Sequence, residues 1–189
     1  MLAEIPCEEI ALALDHVAEA ILCDAGVAGP PIDAFALAAR LGIAVASDDR
    51  QAGRARYVRL RGRTGRGPRP AILLRTDPRR EREHWAVAHE IGEHAAHRVF
   101  RQLGVGVDEI PTSRESAAND LAARLLLPGM WFHSDARDCG WNLLVLKQRY
   151  ATASHELIAR RMLDAKPAIV ISVFDHGGLT FRRGNLSGP

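Results

Sequence analysis

Cysteine is scarce in this chain: Cys7, Cys23 and Cys139 are far apart and form no CxxC pair. That excludes a disulfide framework or a thiolate zinc site and fits reduced thiols, which makes the cytoplasm the expected compartment. Lysine is scarcer still, so the basic charge is carried almost wholly by arginine. The 25 basic residues stand against 23 acidic ones for a net charge of +2, an imbalance too mild to argue for direct binding of nucleic acid. No apolar run approaches the ~20 residues of a membrane span, so no membrane partner is expected. The opening Met1-Leu-Ala-Glu-Ile-Pro-Cys-Glu-Glu is acidic where a signal peptide needs bases. What is present is ordinary for a globular chain: 189 residues, 47% hydrophobic and 25% charged. A chain of that size buries about 70% of its unfolded surface, so residues 1–189 are expected to form a single domain with a core of its own.

Hydrophobic spacing divides the chain into elements. Ile10, Leu14, Val17 and Ile21 recur at helical intervals, as do Ala34, Leu37, Ala38 and Leu41 before Gly42. Short apolar stretches at Ile43–Ala46, Tyr57–Leu60 and Ala71–Leu74 read as a small sheet, the last two joined by the basic loop Arg61–Pro70. Asp77-Pro78 reads as an N-cap with proline at the first helical position, opening a long helix that Gly104 closes. Trp85, Ala88, Gly92, Ala95 and Val99 form its packing stripe. A further helix starts near Thr112 or Ser113, with Ala118, Leu121, Ala122 and Leu125 on one face and Pro128-Gly129 as its stop. Helices over Leu143–Tyr150 and from His155 to Leu163 follow, then strands at Ala168–Phe174 and Leu179–Arg182 around His176-Gly177-Gly178. Trp85, Trp131 and Phe132 are expected in the core.

The chemistry concentrates on the long helix. Residues four apart on a helix face the same way, with Cβ atoms ~5–6 Å apart, so His89 and Glu93 can reach one ion while Glu90 borders the same cleft. His89-Glu90-x-x-Glu93 follows the order of an HExxH metallopeptidase, in which the glutamate after the first histidine acts as base toward water. Here Glu93 stands where the second histidine belongs, which makes the donor set more anionic and richer in oxygen. An exposed hydrogen-bonded pair is the plain alternative. His94, five positions after His89, is rotated from it by ~140° on a regular helix and could join only through a π-bulge. Glu115 has two readings: third ligand, or the glutamate of a Thr112-x-x-Glu115 capping box. His84, His97, His133 and His155 read as surface or packing residues, and Tyr150 as a candidate supporting donor.

Ala88-His89-Glu90-Ile91-Gly92-Glu93 with His97, followed by Glu115-Ser-Ala-Ala118-Asn119 and a helix ending in Leu125-Leu-Leu-Pro128, resembles the two linked motifs of the ImmA/IrrE metallo-endopeptidase family. The resemblance implies an α+β, zincin-like metallopeptidase core: a small β-sheet, an active-site helix, and a C-terminal helical pair (143–164) plus β-hairpin. It also implies Glu115 as the third metal ligand beside His89 and Glu93, and Glu90 as the catalytic base. Zn2+ is the expected ion, with Mn2+ and Fe2+ as alternatives. The implied partner is a protein substrate, for which a helix-turn-helix repressor is the candidate. The rival reading is a catalytically inactive pseudopeptidase or a DNA- or repressor-binding regulator, in which the pair 143–164 would act as a helix-turn-helix with Arg160 and Arg161 on phosphates.

Overall fold

A computed structural model of the chain describes residues 5–60, 68–105, 111–164 and 167–185. Among them the fold is mixed α+β, with seven helices, a three-stranded sheet and a two-stranded one. Most of the basic loop, residues 61–67, lies outside the described residues.

Helix α1 (Cys7–Asp24) buries Leu14, Val17 and Ile21, the stripe its spacing predicts, with Glu8 and Glu9 in the first turn where the helix dipole favours them. Helix α2 (Ala34–Arg40) is capped by Asp33, whose carboxylate accepts from the amides of Phe35 and Ala36. Strand β1 (Ala44–Ser47) then enters the sheet. It pairs in parallel with β3 (Arg69–Leu74), which pairs on its other side with antiparallel β2 (Ala55–Leu60), giving the order β1-β3-β2. Strand β3 is central and carries the buried Ala71, Ile72 and Leu74. Strand β2 is therefore an edge, the feature of the sheet that matters most for the site.

The long helix α3 (Arg80–Gln102) is α-helical throughout. Its start differs from expectation. Asp77 does not cap the helix, because its carboxylate accepts from the Arg79 amide and turns the chain before Arg80. The N-cap is Arg79, without a side-chain bond. Helix α4 (Pro111–Leu126) crosses α3 at close range. Gly92 makes this possible, since a Cβ there would lie 2.7 Å from the Ala118 carbonyl oxygen and 3.2 Å from Leu121 Cβ. With Ala88, Ala95, Ala118 and Ala122 all buried, the two backbones meet across a seam of small side chains.

Pro128-Gly129 is a boundary but not only a stop: helix α5 (Gly129–Asp138) begins there, with Pro128 in the N-cap position and Phe132 fully buried. Trp131 and Trp85 are only partly buried, short of the core positions expected of them. Helices α6 (Leu143–Arg149) and α7 (His155–Met162) are capped by the side chains of Asn142 and Ser154. Strands β4 (Val170–Asp175) and β5 (Gly178–Gly184) form a hairpin whose two-residue turn, His176-Gly177, has positive φ at both positions, as a type I′ turn requires. One apolar cluster runs from Ala13 in α1 to Ile171 in β4. No described helix is long and apolar enough to cross a membrane.

Candidate metal centre

The third and fourth turns of α3 bring His89, Glu90 and Glu93 together, with one ligand-type atom from each lying within 4.8 Å of the others. His89 and Glu93 are half-buried and Glu90 is 6% exposed. From α4, Glu115 reaches toward the same histidine, its Oε2 3.6 Å from His89 Nε2. Glu115 itself is exposed and stands outside the tight three-residue group. Its capping role finds no support in position, because α4 starts at Pro111 and the carboxylate is engaged by Asn119 and His89.

Asn119, one turn after Glu115, joins the two helices. Its Nδ2 donates to Glu115 Oε1 at 3.3 Å, and its other amide atom, Oδ1, lies 3.1 Å from His89 Nδ1. A carboxylate only accepts, so the amide must present Nδ2 to Glu115 and Oδ1 to the imidazole. His89 Nδ1 therefore carries the proton in that bond, which leaves Nε2 as the ring nitrogen that faces Glu115. At 3.6 Å, that nitrogen and the carboxylate can share a proton or a cation. Orienting partners of this kind fix the tautomer of metal-binding histidines. The sequence named Asn119 within a motif and gave it no task. The i, i+4 relation to Glu115 was the available signal.

Glu90 is fixed from the sheet. The Tyr57 amide of edge strand β2 donates to its Oε2 at 2.6 Å. Burial pushes the Glu90 carboxyl above its ordinary range, and the neighbouring Glu93 and Glu115 push the same way, against the Tyr57 bond and His89. One oxygen is thus anchored by the backbone, and the other borders the cleft. Tyr57 also stacks on His94, ring centroids 4.9 Å apart, which draws the His94 ring to β2 and apart from the group formed by His89, Glu90 and Glu93. Burial and the cations His97, Arg59, Arg98 and Arg114 depress the His94 pKa.

The remaining histidines have their own partners or settings. Buried His84 accepts the Ala34 amide through Nδ1, and the His97 ring lies 2.9 Å from the His94 carbonyl oxygen. His133 is half-buried and packs edge-on against Phe132, while His155 lies at the start of α7. Tyr150 does not support the site: it is fully buried, and its hydroxyl donates to Asp135 at 2.7 Å. Arg160 and Arg161, offered to phosphates in the rival reading, are engaged within the chain. Arg161 is buried against Asp15, Asp164 and the Leu127 carbonyl, and Arg160 pairs with Glu156 and lies over the Phe181 ring.

No family model matches the sequence, and no curated protein matches it. Among solved structures, a Mycobacterium tuberculosis transcriptional regulator is similar in fold, with a TM-score of 0.64 at 18% sequence identity. The match covers 97% of this chain and 61% of the regulator's, so the chain spans about three-fifths of that protein. At this identity the likeness concerns the fold alone.

Proposed function

We propose that this chain is a metal-dependent endopeptidase of the zincin-like type, with His89, Glu93 and Glu115 holding one divalent ion and Glu90 as general base. The observation that carries the reading is the convergence of His89, Glu90 and Glu93 within 4.8 Å, with Glu115 facing Nε2 of His89 from a second helix. The donor set fits a divalent ion: a histidine whose Nε2 faces Glu115, and carboxylates whose proximity a cation relieves. Zinc is the first choice, and the oxygen-rich set also suits Mn2+ or Fe2+. When bound, the ion supplies a Lewis acid that polarises the scissile carbonyl and eases loss of a proton from water.

Glu90 takes the proton of the attacking water through its free oxygen, while the Tyr57 amide holds the other in place. Its raised pKa strengthens it as a base and lets it hand that proton to the departing amine. Asn119 keeps the His89 ring turned and its Nδ1 protonated. The substrate is a protein, with a helix-turn-helix repressor as the candidate that the motif resemblance suggests.

The name of the similar Mycobacterium structure favours a second reading, a regulator without hydrolytic activity. The two separate on a single substitution. Glu90→Gln is expected to keep fold and metal while losing at least about a hundredfold in cleavage of casein or a repressor substrate, followed by gel and mass spectrometry. Equal cleavage by both proteins removes Glu90 from the base role, and no cleavage by either supports the regulator.

A further inference from the structure

The candidate centre lies midway along a cleft. A cavity of about 260 Å³ is lined by His89, Glu90 and Glu115. It shares Ala55 and Glu90 with a cavity of about 370 Å³ bordered by Arg56, Arg59 and Arg114. On the other side it shares Arg54 and Asn119 with one of about 890 Å³ that extends past Arg79 to α7. The three spaces adjoin through these shared residues, and edge strand β2 lines the two smaller ones.

The arginines along this cleft fall into two sets. Arg82, Arg124, Arg160 and Arg161 are paired with acids of the chain. The side chains of Arg54, Arg56, Arg59 and Arg79 are exposed and form no ion pair among the described residues. Arg114 makes only a 3.4 Å bond to the Glu93 carbonyl. Five unpaired guanidinium groups on the flanks of a centre that is itself acidic form a positive-negative-positive pattern. A divalent ion at the centre would offset part of its negative charge and leave the flanking guanidinium groups unpaired.

We infer that the cleft selects an extended polypeptide segment with acidic residues on both sides of the bond presented to Glu90. This names the substrate class of the proposed peptidase and rests on that reading. A polypeptide fits better than a nucleic acid. Besides the centre's own acids, Asp120 lines the cleft without an ion pair among the described residues, and a regularly charged phosphate backbone would meet these carboxylates at every register. A peptide can carry its carboxylates only opposite the arginines. Arg54, the residue before β2, and Arg59 are five positions apart along the chain, about 16 Å if extended, so they match acids roughly five residues apart on an extended ligand. The outward side of β2 also suits a peptide. The Tyr57 amide faces Glu90, so the alternating Ala55 and Arg59 direct their backbone groups toward the same cleft.

The test is fluorescence anisotropy on the purified protein with short labelled peptides that are identical except for Glu, Gln or Lys at the flanking positions. A single-stranded oligonucleotide serves as a competing polyanion, and mass spectrometry checks peptide integrity. The Glu peptide is expected to bind about tenfold tighter than the Gln peptide at low salt, with the advantage shrinking as salt is added. The double variant Arg59→Glu/Arg114→Glu, both exposed, is expected to lose the preference for Glu on the side that faces those two arginines, with an unchanged thermal melt. Equal binding of the Gln or Lys peptide, a preference on the Arg59/Arg114 side that survives the double variant, or tighter binding of the oligonucleotide overturns the inference. Acid preference without cleavage upholds the ligand class and counts against the peptidase; cleavage of neutral peptides without acid preference does the reverse.

Discussion

The α3–α4 crossing and the C-terminal pair α6–α7 hold their places by opposite means. At the crossing, small side chains bring two backbones into contact: Gly92 lies under the Ala118 carbonyl, and Ala88, Ala95, Ala118 and Ala122 are buried around it. The C-terminal pair, besides its share of the core, is tied down by charge. Lys147 donates to Glu81 and to the Ala151 and Ala153 carbonyls, and Arg161 joins Asp15, Asp164 and the Leu127 carbonyl. A close-packed seam fixes distance to a fraction of an ångström, which the facing of Glu115 to His89 requires. Polar tethers fix attachment and tolerate small shifts. The site therefore sits where geometry is least adjustable.

The comparison is broken most severely at Gly92. Gly92→Val puts side-chain atoms against the Ala118 carbonyl and is expected to cost about 3 kcal/mol and to separate Glu115 and Asn119 from His89. Chemical denaturation checks the stability, and elemental analysis checks the expected loss of metal. At the other region, Arg161→Met keeps the volume of a side chain that is 4% exposed but removes the tether. Its acidic partners are partly solvated and Asp15 keeps Arg124 nearby, so about 2 kcal/mol is expected, with bound metal unchanged. Metal loss in Arg161→Met would show that the two regions are not independent. Lys147→Met is expected to lose about 1 kcal/mol in the same assay.

A smaller effect tests the sheet side of the core. His84 is buried as the acceptor of the Ala34 amide, and burial lowers its pKa below 6.5. The unfolded chain therefore binds a proton that the native chain resists. The stability contribution is complete above pH 6.5 and falls as the pH drops below it. His84→Asn keeps an acceptor and removes the titration. The denaturation midpoint of the wild type is expected to fall more steeply than that of the variant from neutral pH into mild acid. Parallel slopes would mean that other groups carry the dependence. The smallest expected effect is at the exposed hairpin, where Phe174→Ala, at a position 64% exposed, should shift the midpoint by less than about 0.5 kcal/mol.

Helices were legible where periodicity was long. The stripes of α1, α3 and α4 appear in the residue spacing; the caps at Asp33 and Ser154 were not read from it. Helix α5 was missed because Pro128-Gly129 serves equally as an end and as a beginning, and Phe132 buries against partners distant in sequence. The strand order β1-β3-β2 has no local signature, since register is set by what covers the sheet. The same division holds at the site. The approach of Glu93 to His89 follows from helical spacing, but the Tyr57 amide on Glu90 comes from a backbone group, on which side-chain patterns are silent. The bond of Asn119 to His89 depends on a helix crossing that Gly92 controls, and no spacing within one helix reports it.

Elemental analysis of the purified chain, before and after incubation with Zn2+ or Mn2+ and gel filtration, addresses the metal centre directly. The wild type is expected to hold about one divalent ion per chain, and His89→Ala and Glu115→Ala to hold almost none while remaining folded by circular dichroism. A wild type that retains no ion under either condition, or an ion that survives both substitutions, would contradict the account.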